Sequence, residues 1–120
     1  MKPSIKLKRI YEAADPSDGC RILVDRIWPR GISREKAKID YWAKQAAPSS
    51  QLRKWYNHDP EKWGNFKQRY FAELDAKPES VQELMDQLCR DAATTFLYAS
   101  KEPELNNAAA LKEYIEQTAG

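Results

Sequence analysis

Arg21-Ile22-Leu23-Val24-Asp25-Arg26 and Thr94-Thr95-Phe96-Leu97-Tyr98-Ala99 decide the fold class of this chain. A strand with one wet face alternates apolar and polar residues. A strand buried on both faces carries a continuous apolar run, as in a parallel sheet. Both stretches have that run, so both are expected in the middle of a sheet. Ile5–Ile10 alternates lysine with apolar residues and predicts a strand with one exposed face. Asp15-Pro16-Ser17-Asp18-Gly19 is a turn cluster between it and the second strand.

The segment between the two apolar runs is helical in pattern. Asp40 is expected to cap a short helix carrying Trp42. Pro48-Ser49-Ser50 announces another helix, with Leu52, Trp55 and Tyr56 on one face. Asp59-Pro60-Glu61 is a third start, after which Trp63, Phe66, Tyr70 and Leu74 recur at helical spacing, with Lys62 and Lys67 expected in solvent. Pro78 opens a helix with Val81, Leu84, Met85 and Leu88 as its apolar stripe. A last helix begins near Asn106 or Asn107 and buries Ala108, Leu111 and Ile115. The order predicts one α/β domain over residues 1–120, a small, mostly parallel sheet of about three strands covered by helices. Ile22–Val24 and Phe96–Tyr98 are expected to be parallel neighbours. The link between the first two strands is short for a helical crossover, which leaves their relative direction open.

Composition narrows the class. The chain has 120 residues, 42% of them hydrophobic and 32% charged, so it can bury a core without a metal or disulfide staple. A net charge of +2 is too small to indicate nucleic acid by itself. Cys20 and Cys89 follow no metal or redox spacing and read as two reduced thiols of a cytoplasmic protein. With His58 as its single histidine, the chain lacks the ligands of a Cys/His zinc site, and neither metal nor cofactor is expected. The N-terminal stretch is not a signal peptide in pattern, and no segment is apolar enough for a membrane span.

In open α/β sheets ligands bind beyond the carboxyl ends of the strands. The second strand runs through Asp25-Arg26 into Trp28-Pro29-Arg30-Gly31. The last strand leads through Tyr98 and Lys101 to a helix start at Asn106. Arg26, Arg30 and Lys101 make that rim cationic, which suits a phosphate or carboxylate.

The run Asp18-Gly19-Cys20-Arg21-Ile22-Leu23-Val24-Asp25-Arg26-Ile27-Trp28-Pro29-Arg30-Gly31 resembles the signature of the YeaO-like branch of domain-of-unknown-function family 488. The resemblance continues through Trp42, Ala47-Pro48-Ser49, Leu52-Arg53, Trp55, His58-Asp59-Pro60, Trp63, Phe66, Tyr70 and Glu73-Leu74. It resumes at Leu97-Tyr98 and Asn106. It implies a bacterial or archaeal cytoplasmic α/β domain and supplies no activity. YeaO-like proteins usually carry Asn-His-Ala at the start of the last helix, where this chain has Asn106-Asn107-Ala108. More distant branches carry cysteine near the third strand and a Cys-His pair before the last helix. Here those regions hold Tyr98 and the asparagines, so neither that histidine nor a cysteine mechanism is available.

Each candidate has a structural alternative. Asp25 can cap backbone at its strand end, and Arg26 can pair with a carboxylate such as Glu73. Arg30 sits in a loop fixed by Pro29 and Gly31, which suits anion binding. Trp55 and Trp63 lie on apolar helix faces and read as core, whereas Trp28 belongs to the rim and can stack on a ring. Tyr70 and Glu73 lie one helical turn apart. His58 has the pKa range for proton transfer but no evident partner. The resulting candidates are Asp25, Tyr70, Glu73, Tyr98 and His58 for polar or proton-transfer roles. Arg26, Trp28, Arg30, Arg53, Lys101 and Asn106 are the candidates for holding a ligand. Three readings stay open: a small-anion-binding domain or enzyme acting on a nucleotide or other phosphorylated compound, a nucleic-acid accessory domain, and an interaction module without chemistry. Whether the chain is an enzyme, and its oligomeric state, are not legible.

Overall fold

The computed structural model describes residues 4–119. Four strands, β1 (Ile5–Arg9), β2 (Cys20–Leu23), β3 (Tyr41–Trp42) and β4 (Thr94–Tyr98), form one sheet in the order β1-β4-β2-β3. Every pairing is parallel. β4 therefore separates the first two strands, which resolves their direction without making them neighbours. β2 and β4 pair as expected, with Ile22 opposite Phe96 and Leu23 opposite Leu97. The Val24 N–H extends the pair by donating to the Leu97 carbonyl at 3.0 Å.

The fourth strand was not anticipated. Asp40 does not cap a helix. Its carboxylate accepts from the Arg21 N–H at 2.8 Å, and its own N–H donates to the Arg21 carbonyl at 2.7 Å. This ties Tyr41–Trp42 to the edge of β2, where two aromatic residues suit an extended backbone.

The helices are α1 (Arg34–Ala37), α2 (Ser50–Tyr56), α3 (Trp63–Asp75), α4 (Pro78–Asp86) and α5 (Asn107–Ala119). Side chains alternate across the sheet. Ile22, Val24, Phe96 and Tyr98 join Phe66, Tyr70, Leu74, Leu84 and Leu111 in the larger core. Leu23, Leu97 and Ile10 form a smaller cluster with Ala37, against which Trp28, Ile32, Ile39 and Trp42 pack. All five residues of β4 are buried, as its apolar run requires. Among the described residues no helix is long and apolar enough to cross a membrane.

Two helix-face expectations are corrected. Trp63 is only partly buried, and neither Lys62 nor Lys67 is free in solvent. Lys67 pairs with Glu113 at 3.0 Å and lies over the Trp63 ring, while the Lys62 ammonium donates to the Trp55 carbonyl and sits over that indole. Their apolar stems cover indole surface while the charged heads keep polar partners.

Arg21 is buried, yet its guanidinium is fully engaged. It pairs with Asp18 and donates to the Ala37 and Lys38 carbonyls. Asp18 also takes Lys8 and the Asp15 N–H. Burial alone would raise the Asp18 pKa. These donors and cations outweigh it and hold the carboxyl below its ordinary value.

The reduced-thiol reading is also corrected: Cys20 and Cys89 are joined in a disulfide. They lie 69 positions apart in the sequence, so spacing carried no signal; pairing β2 with β4 brings their Cα atoms to 5.9 Å, within bridging range. Gly19, just before this bridge, has φ of 65°, and a Cβ there would lie 1.8 Å from the Ala93 carbonyl oxygen. Gly19→Ala combines left-handed strain with a backbone clash and should cost about 2–4 kcal/mol in denaturant melts. A cost near zero would show that this end of the sheet yields freely.

Candidate functional site

A cleft of about 420 Å³ opens beyond the carboxyl ends of β2 and β4. Its chemistry starts from one anchored segment, Ala46–Ser49, which leads into α2. The Tyr70 hydroxyl donates to the Ala46 carbonyl at 2.5 Å. Arg26 donates through Nη2 to the Ala47 carbonyl at 3.2 Å and through Nε to the Pro48 carbonyl at 3.0 Å. The Ser49 N–H and hydroxyl donate to Glu73 at 2.9 and 2.6 Å. Ser49 Oγ in turn accepts from the Leu52 N–H and caps α2. Arg26 and Glu73 thus grip the same turn without pairing with each other.

Tyr70 is fully buried. Burial first, then the Glu73 and Asp25 carboxylates, push its hydroxyl well above the ordinary range. It therefore stays protonated as a donor.

Asp25 faces the cleft from the end of β2. Its carboxylate accepts from the Ala99 N–H at 2.9 Å and from Asn107 Nδ2 at 3.0 Å. Its carbonyl accepts from the Trp42 indole at 2.7 Å. Burial pushes the carboxyl above its ordinary value of 3.8, opposed by those two donors and by the nearby Arg53 cation. Asn107 Nδ2 also reaches the Val24 carbonyl at 3.0 Å. Asn106 caps α5 by accepting from the Ala109 N–H at 2.9 Å, and its amide donates to the Glu102 carbonyl at 2.7 Å.

The far wall is the end of α2. Arg53 and Lys54 are exposed on it, and Asn57 and His58 follow with φ of 45° and 55°. Two successive non-glycine residues in the left-handed region are costly and fix the direction in which His58 leaves the helix. Tyr56 is stacked on Phe66 at 4.3 Å beneath this wall, and its hydroxyl donates to the Leu105 carbonyl at 2.8 Å. Among the described residues neither Arg26, Arg53 nor Lys54 forms an ion pair. No cluster of three or more potential metal ligands occurs among the described residues.

The structure brings Asp25, Arg26, Arg53, His58 and Asn106 to the cleft. Tyr70 and Glu73 lie behind it as supports of the 46–49 turn. Tyr98 is buried, and its hydroxyl is raised by burial first, then by Glu12, against the lowering effects of Arg9 and Asn106. Trp28, Arg30 and Lys101 are not on the cleft wall. Trp28 packs on the other face of the sheet, 5.5 Å edge-on from Trp42 and under Arg34 at 4.4 Å, with its indole donating to the Ile32 carbonyl. Arg30 is exposed, and its carbonyl accepts from the Tyr11 hydroxyl at 2.7 Å. Sequence reasoning missed Lys54, Asn57 and Asn107. The helix start marked by Asn106 was the one signal that could have found Asn107.

Two measurements check this geometry. Tyr70→Phe leaves the Ala46 carbonyl without its donor and should cost about 1–3 kcal/mol. An unchanged denaturation midpoint would mean that the hydroxyl does not hold the turn. For Asp25 the folded pKa lies above the unfolded value, so its contribution to stability is fully present below the unfolded value near 3.8 and is lost as pH rises through the folded one. Wild type should therefore lose stability relative to Asp25→Asn across that window in urea melts. A parallel pH profile for the two proteins would contradict the assignment.

Comparison with known proteins gives the lineage. A family model described as the inactive DUF488-N3 subclade matches residues 4–119. The chain is 37% identical to the uncharacterized protein YeaO of Escherichia coli over 93% of its own length and 96% of that protein's. It is 49% identical to the uncharacterized protein Rv3073c of Mycobacterium tuberculosis over 58% of its length and 59% of that protein's. No solved structure matches. The chain therefore belongs to the DUF488 family, in the subclade described as inactive, with YeaO among its relatives.

Proposed function

We propose that this protein is a binding domain without catalytic chemistry, and that its cleft takes a small anion such as a nucleotide or other phosphorylated compound. The observation that carries this reading is the cluster of Arg26, Arg53 and Lys54 around one concave site, with Asp25 as the acidic group among the lining residues. Ionised, the four groups leave an excess of positive charge, and guanidinium groups suit phosphate and carboxylate oxygens. The volume of about 420 Å³ suits a small molecule. A concave site also favours a small ligand over a nucleic-acid strand, for which an open basic groove with an exposed stacking platform is the expected form. Trp28, the candidate platform, already has Arg34 over its ring.

The non-catalytic half of the proposal rests on how the proton-transfer candidates are used. Tyr70 and Glu73 hold the 46–49 turn, and both oxygens of Asp25 accept hydrogen bonds from the protein itself. His58 is exposed and has no hydrogen-bonded carboxylate to orient it among the described residues. The subclade's description as inactive points the same way. The proposal includes the cytoplasmic setting that the family resemblance implies.

Titration with inorganic phosphate and with adenosine monophosphate, followed by amide chemical shifts, tests it. Saturable shifts are expected at Asp25, Arg53, Ala99 and Asn107. Arg53→Ala should weaken binding by about tenfold or more, the worth of one charge-assisted hydrogen bond, with the melting temperature nearly unchanged. Arg30→Ala should leave affinity as it is. Absence of saturable shifts at the cleft, or equal weakening by Arg30→Ala, would remove the proposal.

A further inference from the structure

We infer that Cys20 and Cys89 form a reversible redox-modification site, a thiol pair that closes and opens within the folded protein under the control of small-molecule disulfides and thiols. Three observations carry it. The bridge joins the first residue of β2 to the segment between α4 and β4, at the end of the sheet opposite the cleft. Both cysteines are only half-buried, so an attacking thiolate has access. The backbone around the pair is held by bonds that do not involve sulfur. The Cys20 N–H donates to the Ala93 carbonyl at 3.0 Å, the Cys89 N–H to Thr94 Oγ1 at 2.9 Å, and the Thr95 hydroxyl to the Asp18 carbonyl at 2.7 Å.

These contacts decide between a permanent staple and a switch. β2 and β4 are paired and buried without help from the sulfurs, so opening the bridge leaves the sheet standing. The same hydrogen bonds keep the two Cα atoms near their 5.9 Å separation, so the thiols remain poised to close again. What the bridge restrains is the stretch 87–93, which lies outside regular structure between α4 and β4 and meets the start of β2 at the Ala93 carbonyl. In a reducing compartment the open form predominates, and an oxidising pulse closes it.

The chemistry balances as exchange. One thiolate attacks a small disulfide such as oxidised glutathione and releases one glutathione thiolate. The second cysteine then attacks the mixed disulfide and releases the other. The two cysteines lose two electrons and two protons in all, and the small disulfide becomes two thiols.

The full-length protein, treated with dithiothreitol or with oxidised glutathione, is quenched in acid, alkylated with N-ethylmaleimide under denaturing conditions and weighed intact. The reduced sample should take two labels and the oxidised sample none, with conversion in both directions. Amide spectra of both forms should show the same folded dispersion, with Leu23 and Leu97 unshifted. Hydrogen exchange across 88–93 should speed up by about tenfold or more on reduction, and the thermal midpoint should fall by more than about 5 °C, given the long loop that the bridge closes. Cys20→Ser and Cys89→Ser should each show the reduced pattern and ignore oxidised glutathione. Two labels entering the glutathione-treated protein would mean that the thiols do not meet in solution. Collapse of the amide dispersion on reduction would mean that the bridge is an obligatory staple. Either result overturns the inference. The experiment does not depend on any ligand in the cleft.

Discussion

The parallel pairing of β2 with β4 is the constraint from which the rest of the molecule follows. Its register sets Ile22 against Phe96 and Leu23 against Leu97, with side chains of both strands buried on both faces. One end of the pair places Gly19 under the Ala93 carbonyl and Cys20 within reach of Cys89. At the other end the ladder is continued by a side chain: the Asp25 carboxylate takes the Ala99 N–H, so the last hydrogen bond of the pair opens the cleft. A shift of one residue would exchange the two faces and lose the contacts at both ends. Fold and site are specified by the same few contacts.

Legibility in the sequence follows from this. The two central strands were readable because burial on both faces leaves an uninterrupted apolar run, and no other short element of the chain has one. β3 was not readable: two residues carry no period, and its signal lies in Asp40, which resembles a helix cap until the Arg21 N–H is seen to be its partner. The disulfide was invisible for a different reason, since contacts across 69 residues follow from topology and not from spacing.

The expected rim and the cleft coincide only in part. The rule that ligands gather at the carboxyl ends of strands led to Asp25, Arg26 and Asn106. It did not tell which face of the sheet each later residue would take. The chain turns after Arg26, and Trp28 falls on the α1 face beside Trp42. Nor does residue type separate a reacting group from a supporting one. Tyr70 and Glu73 have the side chains of an acid–base pair, yet their partners are the Ala46 carbonyl and the Ser49 N–H. Every buried side-chain polar atom among the described residues has a hydrogen-bond partner, as folding requires.

Asn107 shows how a side chain that does not titrate can hold the shape of this cleft. Here the asparagine amide reaches both the Val24 carbonyl and the Asp25 carboxylate, fixing the strand end to the start of α5. An amide supplies these donors at every pH. An imidazole would supply a comparable bond and, in addition, a proton that comes and goes near neutrality. Here the geometry around Asp25 is held by a group that does not titrate near neutrality. Among the described residues none of Arg26, Arg53 and Lys54 bonds to Asn107, whose amide is taken by Val24 and Asp25. The groups that carry the positive charge of the cleft are therefore separate from the amide that holds its shape.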